Sequence, residues 1–89
     1  AYDDDIAKAQ AIVQAILAKD PRLLKDPAPV VAVVQLADSS VNLAVRPWVR
    51  TADYWDAAFA LNEEVKLAFD AQGISIPFPQ RDVHLHQVA

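Results

Sequence analysis

The stretch Gly73-Ile-Ser-Ile-Pro-Phe-Pro-Gln-Arg-Asp-Val-His-Leu-His-Gln-Val88 decides how the fold ends. Gly73 is the only glycine in the chain and follows a long helical pattern. A glycine at that position can adopt the left-handed conformation that terminates a helix. Residues 74–76 then alternate between apolar and polar, which predicts a short extended segment. Pro77 and Pro79 fix φ and withhold two backbone donors, so they predict a break between two extended pieces.

The second extended piece is predicted to be an oligomerisation strand. Its side chains alternate between the two faces of a strand. One face carries Val83, Leu85 and Gln87, and the other carries Asp82, His84, His86 and Val88. We expect the first piece to join the domain's own sheet and the second to project beyond it and pair with another chain. The predicted organisation is therefore a domain over residues 1–81 and an inter-subunit strand over residues 82–89, whose interface residues are Asp82, Val83, His84, Leu85, His86, Gln87 and Val88.

The first helix is predicted by apolar residues at three- and four-residue spacing, namely Ile6, Ala9, Val13, Ile16 and Leu17. It should end by Asp20, because Pro21 disfavours helical geometry in the residue before it. Three aspartates, Asp3 to Asp5, precede this stripe. We interpret them as a helix cap that favours the positive end of the helix dipole, rather than as metal ligands.

A β-hairpin is predicted in the middle of the chain. Val30–Ala37 is rich in β-branched residues and apolar on both sides, which predicts a strand that is central or covered on both faces. Asp38–Ser40 is predicted to be the turn. Val41–Arg50 alternates as a half-buried partner strand, and Pro47 predicts that this strand lies at an edge or carries a bulge.

The second helix is predicted to run from a cap at Thr51 or Asp53 to about Gln72. Trp55 and Phe59 lie beside its apolar stripe. We interpret these two residues, together with Trp48 and Tyr54, as core residues and not as an aromatic binding platform. The predicted buried stripe consists of Tyr54, Ala58, Leu61, Val65, Ala68 and Phe69.

The order of these elements predicts an α+β fold, with two helices on one face of a small, mainly antiparallel sheet. The order is helix, strand, strand, helix, strand. A ferredoxin-like domain has one more strand before the first helix. We therefore predict a ferredoxin-like two-layer sandwich whose first strand would precede Ala1, with the trailing C-terminal strand in addition.

The composition excludes several classes of function. The chain has 89 residues, enough for one small domain, and a net charge of −4 with no basic patch, which argues against nucleic-acid binding. It has no cysteine, so disulfides and thiolate metal sites are excluded. Apolar runs such as Val30–Val34 are far shorter than the ~20 residues that span a bilayer. No stretch of this sequence is therefore predicted to span a membrane.

Catalytic and metal-binding motifs are weak. His84 and His86 should face the same way in an extended segment, but a closed zinc site needs four ligands, so we interpret them as a polar strand face. Arg46 and Arg50 flank Trp48 and could hold an anion, but we prefer pairing with acidic helix faces. The sequence shows no nucleophile elbow, phosphate loop or dinucleotide fingerprint. We therefore predict no enzyme activity, no cofactor and no metal.

Four stretches carry a family resemblance across nearly the whole chain: Ala1–Ile6, Asp20–Pro27, Asp38–Leu43 with Arg46 and Trp48, and Gly73–Leu85. Together they resemble the C-terminal part of the cytoplasmic domain in the small-conductance mechanosensitive channel (MscS) family. The resemblance implies a structural domain in a heptameric cytoplasmic cage below an inner-membrane pore. Solutes would reach the pore through the openings of that cage, and the final strands would close it as a small barrel.

A second hypothesis belongs to another class. Ferredoxin-like domains also serve as free-standing or transporter-attached regulatory modules that bind metals or small ligands. In that case His84, His86 and the N-terminal aspartates would be the ligands.

Overall fold

The computed structural model describes residues 2–35, 41–74 and 81–88. Its elements, in chain order, are helix α1 (Tyr2–Lys19), strands β1 (Val30–Gln35), β2 (Val41–Arg46) and β3 (Trp48–Arg50), a 3₁₀ helix (Thr51–Asp53), helix α2 (Tyr54–Ala71), and strands β4 (Arg81–Val83) and β5 (His86–Val88). The predicted turn at Asp38–Ser40 and the predicted proline break at Pro77 and Pro79 lie outside the described residues.

Helix α1 ends where the sequence predicted, one residue before Asp20. The backbone is already helical at Tyr2, so Asp3 to Asp5 lie inside the first turn rather than at the N-cap. Their side chains lie outside the described part of the molecule. The acidic residues therefore occupy the positive end of the helix dipole, as predicted, but by position they are not the cap.

The hairpin is confirmed, but the prediction of which of its two strands lies at the edge of the sheet is wrong. Strands β1 and β2 pair antiparallel over six residues, from Val30 opposite Arg46 to Gln35 opposite Val41. The three-stranded sheet has the order β1-β2-β4, so β1 is an outer strand and β2 is central. β1 is not covered on both faces, because Val30 is 52% exposed. Pro47 is buried and separates β2 from β3, so the single strand predicted over Val41–Arg50 is two strands.

Helix α2 buries three of the six residues in the predicted stripe, and the other three are half-buried. Leu61, Val65 and Phe69 are buried, and Ala57 joins them. Asp53 holds the N-cap position, one of the two positions predicted, but its side chain makes no capping hydrogen bond. The short 3₁₀ helix, Thr51–Asp53, directly precedes the first residue of α2.

The C-terminus of α2 is closed by the predicted glycine. Gly73 has φ +70°. The Gly73 N–H donates to the Asp70 carbonyl at 3.2 Å, and the Ile74 N–H donates to the Phe69 carbonyl at 2.9 Å. This pair of bonds is a Schellman motif, and its hydrophobic contact is supplied by Ile74 and Phe69, which are both buried in the same cluster. One local motif therefore ends the helix and directs the chain into the core.

We predict that Gly73→Val lowers the free energy of unfolding by about 1–3 kcal/mol, because a β-branched residue at positive φ is strained. An added Cβ would meet no atom within 4 Å, so the cost would be conformational and not steric. Gly73→Asn is the matched control and should cost less, since asparagine tolerates the left-handed region. Urea denaturation measures both, and equal losses would contradict the conformational explanation.

The chain returns to its own sheets after α2. Strand β4 pairs parallel with β2, from Leu43 opposite Arg81 to Val45 opposite Val83. Strand β5 pairs parallel with β3, from Trp48 opposite His86 to Arg50 opposite Val88. The expectation that this segment projects beyond the domain is therefore wrong: the described residues 81–88 are docked on their own domain.

The core lies between the helices and the sheets. It draws on both helices, on strands β2 and β3, on the connector after α1 and on the C-terminal segment. Its buried apolar residues are Ala9, Val13, Leu17, Leu23, Leu43, Val45, Val49, Ala57, Leu61, Val65, Phe69, Ile74 and Leu85. The α+β class is thus confirmed. The order β1-β2-β4 with a separate β3-β5 pair does not by itself establish the ferredoxin-like arrangement.

Candidate functional site: the docked C-terminal segment and the exposed face of α2

The segment Arg81–Val88 is held by backbone hydrogen bonds and by one buried side chain. The His84 N–H donates to the Val45 carbonyl and the His86 N–H donates to the Pro47 carbonyl, each at 2.9 Å. Between them Leu85 is only 3% exposed and belongs to the core. The predicted interface residues therefore divide by role: Leu85 anchors the segment inside the domain, while His84 and Gln87 are exposed.

The two histidines lie close together, but their environments differ. Their ring centroids are 6.2 Å apart with the planes at 82°. His86 stacks on Trp48 at 4.6 Å, with the planes 29° apart, whereas His84 is exposed. The sequence did not predict the Trp48–His86 stack, because it depends on the parallel pairing of β3 with β5. The stack gives His86 a packing role that needs no metal.

Within residues 2–35, 41–74 and 81–88, no group of three or more His, Asp or Glu side chains is placed to hold a metal ion. His84 and His86 would supply two ligands of the four that a closed zinc site requires. Arg46 and Trp48 both have partners within the domain. One Arg46 guanidinium nitrogen donates to the Val45 carbonyl at 3.2 Å, and the Trp48 ring stacks on His86.

The connector after α1 supports strand β3 from the side opposite β5. Leu23 bridges to Val49 in the antiparallel sense, and the Leu24 N–H donates to the Trp48 carbonyl at 2.9 Å. The connector is set by Asp20, whose carboxylate accepts three hydrogen bonds from Arg22: from its backbone N–H at 3.0 Å, from Nε at 2.9 Å and from a terminal guanidinium nitrogen at 2.7 Å. The sequence did not predict this pair.

Hydrogen bonding to the Arg22 side chain holds the pKa of the Asp20 carboxyl below its usual value of 3.8. We predict that Asp20→Asn destabilises the domain by about 1–2 kcal/mol at pH 7. A carboxyl with a depressed folded-state pKa stabilises the fold above its usual pKa and loses that effect as pH falls through the folded-state pKa. The difference between wild type and Asp20→Asn should therefore be constant from neutral pH to about pH 5 and shrink below pH 4.

The matched control for Asp20→Asn is Asp70→Asn. Asp70 pairs with Lys66 at 2.8 Å on the exposed face of α2, and both side chains are at least 60% exposed. Such exposed pairs contribute little to stability. Urea denaturation across pH checks both variants, and an Asp20 effect that persists undiminished at pH 2 would contradict the assigned cause.

The exposed face of α2 carries large apolar side chains, and two of them, Trp55 and Phe59, were predicted to be core residues. Trp55, Phe59 and Leu67 are 66%, 69% and 58% exposed. The Trp55 and Phe59 rings stack at 5.8 Å, and the half-buried Tyr54 meets Trp55 edge-on at 5.0 Å. The core prediction for Trp55 and Phe59 is therefore wrong. The sequence spacing could have indicated this exposure. Trp55 and Phe59 are four residues apart, and they lie on a row of the helix beside the stripe that ends at Phe69.

The structure thus defines a class: a small α+β domain whose C-terminal segment is docked on its own sheets and whose second helix exposes apolar side chains. The comparisons identify the family. The family model "Mechanosensitive ion channel MscS, C-terminal" matches residues 1–76. The chain belongs to this family, and it corresponds to the C-terminal domain of an MscS-family mechanosensitive channel.

Several curated relatives support this assignment. The chain is 45% identical to a small-conductance mechanosensitive channel of Edwardsiella ictaluri over 98% of this chain and 30% of the relative. It is 44% identical to an uncharacterized MscS family protein of Synechocystis over 97% of this chain and 29% of the relative. It is 43% identical to an uncharacterized MscS family protein of Archaeoglobus fulgidus over 92% of this chain and 29% of the relative. No solved structure matches the chain.

The chain spans about three-tenths of the length of these relatives. In the part of the chain that the structure describes, neither helix has the length and apolar character of a bilayer-crossing segment. MscS-family channels are membrane proteins and oligomers, and they are not enzymes. The channel assignment is therefore favoured over the free-standing regulatory module.

Proposed function

We propose that this domain forms part of the cytoplasmic vestibule of an MscS-like channel in the inner membrane, and that it acts in assembly and as a solute filter during osmotic-shock release. The observation that carries the proposal is the family match over residues 1–76, with a relative named as a small-conductance mechanosensitive channel. In the proposed assembly seven copies surround a cage, and the openings of that cage admit solutes to the pore.

The C-terminal segment is proposed as one inter-subunit contact, through an open strand edge rather than a free strand. The His86 N–H points toward β3, because it donates to the Pro47 carbonyl. Backbone groups alternate in direction along a strand, so the Gln87 N–H and C=O point away from β3. Among the described strands β5 pairs only with β3. An open edge of this kind can accept a strand from a second copy.

We also keep the ferredoxin-like arrangement as a proposal. It is supported by the order helix, hairpin, helix, and by the core cluster in which residues of both helices lie together with Leu43 and Val45.

Gln87→Pro tests the proposed contact. Proline removes the outward N–H of Gln87 but none of the hydrogen bonds from β5 to β3, so it should block edge pairing without undocking the segment. Gln87→Thr keeps the donor and is the matched control. By multi-angle light scattering, we expect wild type and Gln87→Thr to associate with rising concentration and Gln87→Pro to associate less.

Circular dichroism and the melting temperature establish that both variants are folded. The proposed contact is refuted if wild type stays monomeric at millimolar concentration, or if folded Gln87→Pro associates as strongly as Gln87→Thr. Deleting residues 82–89 is a poorer test, because it would also remove Leu85 from the core.

A further inference from the structure

A cleft lies between the second half of helix α1, the connector over residues 20–29 and the start of strand β1. Its volume is about 430 Å³. Small-molecule sites in proteins have volumes of about 300–1,000 Å³, so the cleft is large enough to hold a small ligand. We propose that it binds a medium-chain carboxylate, a molecule with an unbranched apolar chain and one terminal carboxylate group.

Apolar side chains form most of the lining of this cleft. They include two leucines of the core and three half-buried residues, namely Leu17, Leu23, Leu24, Pro29 and Val31. A chain of methylene groups that enters the cleft would therefore leave water for apolar surroundings. This transfer is favourable in proportion to the apolar area that is removed from water.

Hydrogen bonds fix the connector wall of the cleft. The Asp20 carboxylate accepts three of them from Arg22, and the Leu24 N–H donates to the Trp48 carbonyl at 2.9 Å. The opposite wall belongs to α1, which is held against the core by Leu17. Since both walls are already in place, a ligand would lose little affinity to the ordering of the protein.

Charge selects a carboxylate as the polar group of the ligand. The lining has two charged side chains, Asp20 and Lys25. Both carboxylate oxygens of Asp20 already accept hydrogen bonds from Arg22. Lys25 is exposed and makes no hydrogen bond or ion pair within the part of the chain that the structure describes, and the adjacent Asp26 does not line the cleft. The charge that remains available in the lining is therefore positive.

Gln14 adds an exposed amide on the α1 wall, which can donate a hydrogen bond. An apolar lining with a few polar groups is typical of small-molecule sites, where the polar groups orient the ligand. A ligand with an ammonium group would instead face Lys25, a like charge. The inference does not depend on the proposed assembly, because the cleft and the β5 edge share no residue.

Isothermal titration calorimetry of the 89-residue chain with butanoate, hexanoate, octanoate and decanoate tests the proposal. We expect one molecule to bind per chain. Each added methylene should tighten binding about fourfold until the cleft is filled. Octylammonium has the same chain as octanoate and the opposite charge, and it should bind about tenfold more weakly.

Two pairs of variants locate the site. Lys25→Gln should weaken octanoate binding about fivefold, whereas Lys8→Gln, on the exposed face of α1 outside the cleft, should leave it unchanged. Ala18→Phe places a ring in the cleft and should abolish binding. Ala15→Phe, exposed on the same helix but outside the lining, is its matched control.

Circular dichroism and the melting temperature establish that these variants are folded. If Ala18→Phe unfolds, Lys25→Glu replaces it, because it reverses the charge at an exposed position and should abolish octanoate binding.

Four results would overturn the inference. They are the absence of saturable binding across the carboxylate series, equal binding of octylammonium and octanoate, equal weakening by Lys8→Gln and Lys25→Gln, and octanoate binding that survives in folded Ala18→Phe. The last of these would place the alkyl chain elsewhere, for example on the exposed rings of Trp55 and Phe59.

Discussion

Phe69→Ala should lower the free energy of unfolding by about 3–5 kcal/mol, the largest effect that we expect from a single substitution in this domain. Phe69 is among the largest fully buried side chains, and its carbonyl closes the Schellman motif after α2. Native proteins are stable by about 5–15 kcal/mol, so this loss would remove a large part of the stability of a domain this small. Urea denaturation followed by circular dichroism measures it.

Phe59→Ala is the matched control for Phe69→Ala. It removes the same side chain from the same helix, but Phe59 is 69% exposed, so the free energy of unfolding should change by less than about 1 kcal/mol. The structural assignment of the two faces of α2 would be wrong if Phe59→Ala destabilised the domain as much as Phe69→Ala.

Leu85→Ala should cost about 2–5 kcal/mol, because it empties the core position that anchors the C-terminal segment. The neighbouring His84→Ala changes an exposed side chain and should leave stability nearly unchanged. The two substitutions lie next to each other, so any general effect of altering the C-terminus would appear in both. Thermal and urea unfolding measure the pair.

A small effect of Leu85→Ala, similar to that of His84→Ala, would show that residues 81–88 are not docked on their own domain. The segment would then be available in full for a neighbouring copy, as the alternating pattern first suggested. A large effect limits the proposed inter-subunit contact to the exposed edge and exposed side chains of β5.

The sequence by itself determined the local features of this protein. Pro21 limited the end of α1, Pro47 separated β2 from β3, and Gly73 ended α2 with positive φ. Each of these depends on backbone conformations that one or two residues control. The α+β class and the family also followed, the first from periodicity and the second from motifs spread along the chain.

Only the tertiary structure decided which strands are neighbours and which side chains are exposed. β1 is as apolar as a central strand, yet among the described strands it lies at an edge, because it pairs only with β2. The C-terminal segment has the pattern of a strand that seeks a partner, and its partners are β2 and β3 of the same chain. Periodicity gives two faces for each element but does not say what covers them. Trp55 and Phe59 are exposed for that reason: the helix and sheets that cover the stripe ending at Phe69 do not extend to the adjacent row.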